Sequence, residues 1–263
     1  MFAPGPLAIV VAADASVVRP QRRAIRRRIK RMVYRSESRV GAACALAGSV
    51  LLFVGTYLHP LKADPNEAIA AFTEYAADQL WIASHLMQLA GVALIVAALL
   101  FLARQLESVS GTGWARIAAG GAIASLAVTA ALQAVDGIAL KVMVDAWAVA
   151  PASQKEGAFH AAFAVRQVEI GLASMLSLLF GLTVTVYGLA LLVDHTYPKW
   201  VGGLAIVGAV PIAVAGVVMA YTGFSGQAMA INMPASSILL GWMLTLGVCM
   251  WRRGGVPPDE TAV

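Results

Sequence analysis

Three histidines, His59, His85 and His160, carry the most reactive chemistry in this 263-residue sequence. Neutral imidazole ligates zinc, copper and haem iron, and carboxylates such as Asp78, Asp136 and Glu169 can complete a shell. A metal ion on the three histidines with one open position would activate water for hydrolysis. Haem is the other metal chemistry to weigh. His59 and His85 lie at similar depth, with Gly55 and Gly91 about one turn deeper, where small residues would admit the ring. Against both stands a plainer reading, in which the histidines are satisfied by hydrogen bonds. His85 would then pair with Gln88, Asp78 or a neighbouring helix, and His59 would be a helix-end residue before Pro60. No two histidines stand four apart and no His-Glu-x-x-His occurs, so spacing alone selects none of the three. His195 falls in a short loop, Asp194–Trp200, and reads as solvated.

Other polar residues fall in register with them. Asp78, His85 and Gln88 are seven and three residues apart and share one helix face. Ser125, Thr129, Gln133 and Asp136 follow an i, i+4, i+8, i+11 pattern. His160 aligns with Gln167, and Arg166 with Glu169 forms an i, i+3 pair. Asp78, Gln88, Gln133, Asp136, Arg166 and Glu169 are therefore expected to line a ligand-binding vestibule at one end of a bundle whose other half is drier. Arg166 and Glu169 also read as an ion pair at the entry of their helix, or as part of a proton or anion path.

The elements that must position these residues are set by composition. The chain is 60% hydrophobic and 13% charged, with a mean hydropathy of +0.77. Soluble domains are about 45–50% apolar and about 25% charged. A soluble enzyme, a disordered chain and a nucleic-acid-binding body are excluded. A helix crossing the hydrocarbon core needs ~20 apolar residues, and six such runs occur: Val40–Tyr57, Trp81–Leu102, Trp114–Val135, Ile170–Val193, Val201–Tyr221 and Pro234–Trp251. None alternates like a barrel strand. The expected fold is all-α, a polytopic bundle of six transmembrane helices, the second to fourth extending beyond the outer face.

Orientation follows from Lys and Arg. Segment 1–39 holds ten of the 19 basic residues, and Arg104, Arg116, Lys199, Arg252 and Arg253 fall on the same side. The other side holds Lys62, Lys141, Lys155 and Arg166 with eight of the 14 acids. Both termini are expected in the cytoplasm. Trp114, Trp200 and Trp251 mark the inner interface, and Tyr57, Trp81 and Tyr221 the outer one. Cys44 and Cys249 read as free packing residues.

Three regions are expected: a basic cytoplasmic segment 1–39, a transmembrane domain 40–252 and a cytoplasmic tail 253–263. Between Arg19 and Arg39, Ile25, Ile29, Met32 and Val33 recur at helical spacing among arginines. That pattern suits a short helix on an anionic lipid surface; a true start at Met32 instead of Met1 is the duller alternative. Tethering to a bilayer argues against nucleic acid as a partner. The loop 58–80 reads as a short helix capped by Asp64 or Asn66, lying over the vestibule, with Asp136–Trp147 as a second cover. No P-loop, Gly-x-Ser-x-Gly or dinucleotide fingerprint is present. The two halves show no repeat of the kind transporters carry, although Pro211 interrupts the fifth span.

Leu58-His59-Pro60 at the end of the first span, Ser84-His85-Leu86 opening the second, Arg104 at the basic turn and Asp136-Gly137 closing the third are motifs in their own right. Over residues 40–252 this pattern resembles a broad group of uncharacterised six-helix bacterial membrane proteins, a domain of unknown function. The resemblance implies the architecture and a bacterial plasma-membrane address, and brings no catalytic residue. The expected function is a binding, accessory or sensor subunit, working with a membrane protein partner or as a homo-oligomer. The rivals are a metal- or haem-dependent membrane enzyme on His59, His85 and His160, and a small transporter using Asp136, Arg166 and Glu169.

Overall fold

The computed structural model describes residues 15–60, 62–106 and 109–255, with residues 15–31 and 109–110 as backbone alone. Helix α1 spans Ala15–Leu58, α2 Ala68–Ala77, α3 Trp81–Gln105 and α4 Val109–Gln133. A π-helical segment, Ala134–Leu140, runs straight into α5, Lys141–Val149. Then follow α6, Lys155–Val193, α7, Lys199–Thr222, and α8, Gly226–Gly255. No strand occurs among the described residues, and six of their helical stretches are long and apolar enough to cross a membrane. The chain is an all-α, multi-pass membrane bundle.

The spans close a ring in chain order. α1 lies against α3, α3 against α4, α4 against α6, α6 against α7, α7 against α8, and α8 returns to α1. Between helices in lipid the apolar driving force is weak, so close backbone approach carries the packing. A Cβ on Gly91 of α3 would come within 2.7 Å of the Leu52 backbone nitrogen on α1, and one on Gly181 of α6 within 2.5 Å of the Ala213 nitrogen on α7. Hydrogen bonds add to these seams: Tyr187 Oη donates to Leu99 O at 2.9 Å, and Trp242 Nε1 to Val201 O at 3.0 Å. The basic end of the ring is filled by large side chains, among them Leu99, Leu102, Tyr187 and Trp242.

At the acidic end the stretch Gly111–Val149 and helix α6 each run 39 residues. At 1.5 Å per residue that is about 58 Å, against a hydrocarbon core of about 30 Å. The third and fourth spans thus extend past the hydrocarbon core at the acidic end. The second does not: it begins at Trp81, after the turn that follows α2. The overhang of α5 and α6 gives α2 a surface, and Ala71, Phe72, Tyr75, Trp81, Leu140, Val144, Trp147 and Ala162 form a second apolar core there. Lysines close the exposed helix ends, where unpaired carbonyls attract cations. Lys141 Nζ donates to Tyr75 O and Ala76 O at 2.9 and 3.1 Å, and Lys155 Nζ to Trp147 O and Ala148 O at 2.6 and 2.9 Å.

Several boundaries differ from expectation. α1 is unbroken from Ala15, so the basic segment continues into the first span and is not a separate surface helix. The side chains of Ile25 and Ile29, and segments 1–14 and 256–263, lie outside the described residues. α2 starts after Glu67, not at an Asp64 or Asn66 cap; Asp64 Oδ1 instead accepts the Asn66 amide at 2.9 Å. α8 starts at Gly226, so Pro234 lies inside it. Gly223 ends α7 at φ 61°, a conformation that only glycine adopts without strain.

A side chain at Gly91 must push two backbones apart, whereas Gly203 faces open space. Gly91→Val is expected to cost about 1–3 kcal/mol and Gly203→Val far less. Thermal unfolding midpoints of the two purified variants check this.

Candidate metal centre

His59, at the end of α1, His85, on the first turns of α3, and Asp136, in the π segment, converge at the acidic end. Their ligand-type atoms all lie within 4.8 Å of one another. His85 is 2% exposed. Its position is fixed by Gly137, where a Cβ would come within 2.6 Å of His85 Cβ. The wide π turn is a device common at functional sites, and here it brings Asp136 against α3. Trp81 Nε1 holds the segment by donating to Asp136 O at 3.1 Å.

The tautomers follow from the partners. His85 Nδ1 lies 2.7 Å from Trp81 O, and His59 Nδ1 lies 2.9 Å from Pro60 O. Carbonyl oxygens only accept, so Nδ1 carries the proton in both rings. In the neutral rings each Nε2 is then a free lone pair. His85 Nε2 faces Asp136 Oδ2 at 3.0 Å, two acceptors in contact unless a proton or a metal ion lies between them. A backbone carbonyl holding Nδ1–H is the usual outer support of a metal-bound histidine. Three buried oxygens around the cluster, Asp136 Oδ1, Asp78 Oδ2 and Gln133 Oε1, have no donor. All three call for a cation or a hydrogen-bond donor. Burial holds the His59 imidazole below its ordinary pKa, with the Asp136 carboxylate opposing, which keeps the ring neutral as a ligand must be.

Aromatic rings wall the site. The His59 ring centroid lies 4.8 Å from that of Trp81 and 5.0 Å from that of His85, and Trp81 is 4.4 Å from Tyr75. Trp81 is 1% exposed and belongs to the site, not to the interfacial belt where Tyr57 and Tyr221 stand exposed. The i, i+4 spacing of Trp81 and His85 was the available signal. Burial pushes the Tyr75 hydroxyl up to about 12.

The chain matches no protein family, no curated protein and no solved structure.

The remaining candidates divide. Gln133 Nε2 donates to Gln88 Oε1 at 3.2 Å, next to the cluster along both helices. Asp78 Oδ1 accepts the Leu80 amide at 2.7 Å, fixing the entry to α3. Arg166 Nη1 donates to both oxygens of Glu169 at 2.9 and 2.8 Å, and its Nη2 to Pro65 O at 3.1 Å. Its guanidinium also lies 4.8 Å from the Phe224 ring centroid. That pair is charge-balanced and ties α6 to two loops. His160 stands apart: its side chain is 69% exposed and 3.8 Å from Glu156. Haem does not fit. A Cβ on Gly55 would come within 2.8 Å of Ser84 O, and Gly91 is filled by Leu52, so facing backbone occupies the space a porphyrin would need. Cys44 and Cys249 are free.

A histidine held below its ordinary value takes up its proton first in the unfolded chain. The contribution of His59 to stability is therefore constant above about pH 6.5 and falls as pH drops below it. Metal-free wild-type protein is expected to lose more thermal stability between about pH 6.5 and pH 5 than His59→Gln. Parallel curves would refute the assignment.

Proposed function

We propose that this chain is a plasma-membrane binding subunit whose outward vestibule holds one divalent transition metal on His59, His85 and Asp136. The observation that carries the reading is the contact of a lone pair on His85 Nε2 with Asp136 Oδ2, beside His59 and three unsatisfied acceptor oxygens. Two imidazoles and a carboxylate suit zinc, with a fourth position left for water or a ligand. The α2 cover and its aromatic rings shield that position, which favours a sensor or accessory role over rapid turnover.

Orientation enters through charge. The strong excess of Lys and Arg on the side of both termini supports a cytoplasmic location for them, with the metal centre facing out. The resemblance to six-helix bacterial membrane proteins supports an inner-membrane address. Anionic lipid at the basic segment and a membrane protein partner belong to the same proposal.

Equilibrium dialysis with zinc, and visible spectra of the cobalt-substituted protein, are expected to give one ion per chain. His85→Ala and Asp136→Ala should each weaken binding by about tenfold or more, and His160→Ala should leave it unchanged. Absence of stoichiometric metal in the wild type overturns the reading. For orientation, Lys62→Cys in a background lacking Cys44 and Cys249 is expected to react with a membrane-impermeant maleimide in intact cells, and His195→Cys only after lysis.

A further inference from the structure

Helix α2 is ten residues long, and only Ala71, Phe72 and Tyr75 of it are buried. A helix this short is marginal in water by itself, so its fold depends on what it docks against. One side rests on α5 and α6 through the second apolar core. The other contact is with the metal centre. The Tyr75 ring stands edge-on to His59, with centroids 6.3 Å apart, and its centroid lies 4.4 Å from that of Trp81. Trp81 in turn lies against both imidazoles and holds the Asp136 carbonyl. A second connection runs through the chain leading into α2. Glu74 Oε1 accepts the Lys62 amide at 3.1 Å and its Oε2 the Ala63 amide at 2.7 Å, while Arg166 holds Pro65 O.

We infer that α2 is a latch worked by the metal ion: an ion on His59, His85 and Asp136 holds α2 docked, and undocking of α2 takes His59 out of the shell. The three ligands differ in what aims them. His85 and Asp136 lie within continuous helix, whereas His59 lies one residue past the end of α1. Its Nδ1 is held by Pro60 O, two residues before the first amide that Glu74 binds. His59 is therefore the ligand whose aim depends on α2, through the Tyr75 ring beside it and through the segment that Glu74 ties down. Coupling of this kind is reciprocal. If docked α2 favours the ion, the ion favours docked α2 by the same factor, and occupancy becomes a change of order at the acidic end. The inference rests on the metal reading above and supplies the output that a sensor requires.

Hydrogen–deuterium exchange of the full-length protein in nanodiscs tests this, in chelator-treated and zinc-saturated samples whose bound zinc is counted. Zinc is expected to slow amide exchange across Ala68–Ala77 by about tenfold or more, and to leave Lys199–Thr222 unchanged. Tyr75→Ala and Glu74→Ala each cut one of the two connections, and each should shrink the response of α2 while one ion still binds at saturating zinc. Two variants are used so that failure of one to fold leaves the other. One ion bound with α2 exchange unaltered overturns the latch and leaves the metal centre standing. Equal slowing across Lys199–Thr222 marks general stabilisation and also overturns the latch. A full response in both variants overturns the assignment of the coupling to Tyr75 and Glu74. No bound zinc in the wild type overturns the metal centre, and the latch with it.

Discussion

Two acceptor atoms held in contact impose the central constraint on this fold. His85 Nε2 and Asp136 Oδ2 stand 3.0 Å apart, and the other ring nitrogen of His85 is already committed to a backbone carbonyl. The His85 side chain is almost fully buried and that of Asp136 largely so, so leaving two facing acceptors unsatisfied would be costly. A positive charge must reside between them, as a proton or as a metal ion. The indole of Trp81, the absent side chain of Gly137 and the widened turn around Asp136 all serve to bring the pair together.

Holding such a pair requires helices that do not slide. Lipid gives them little apolar reason to stay in register, so the register is set where backbones meet at glycine. Gly91 against Leu52 fixes α3 to α1, and therefore fixes His85 relative to His59. The same contact closes the gap a haem would need. One packing decision thus brings two imidazoles together and leaves no room for a large planar cofactor.

The acidic end is closed by overhang. Because the third and fourth spans outrun the hydrocarbon core, α5 and α6 offer a platform to α2, and Lys141 joins the two by capping α2 with its ammonium group. Arg166 and Glu169, which as a sequence pair could equally be a charge path, are consumed in this closure through Pro65 and Phe224. At the basic end, aromatic and aliphatic side chains pack around the buried hydrogen bond between Tyr197 and Gln105.

Much of the architecture is legible in the sequence because span length and hydropathy answer directly to bilayer thickness. The six runs, the all-α class, the longer third and fourth helices and the Lys141–Asp145 pair all follow from local pattern. Helical spacing also places His85, Gln88, Gln133 and Asp136 on inward faces. Periodicity does not say which inward faces meet. His59, His85 and His160 look equivalent as a list, yet only two of them share a site, and the third ligand-type group is Asp136, on a turn whose extra width has no sequence signature. Trp81 reads as an interfacial residue until α2 is folded over it. The sequence determined each helix and its polar stripe, because those depend on neighbours within a turn or two. Which stripes face each other was decided by tertiary structure alone, because it depends on backbone contacts between residues far apart in the chain.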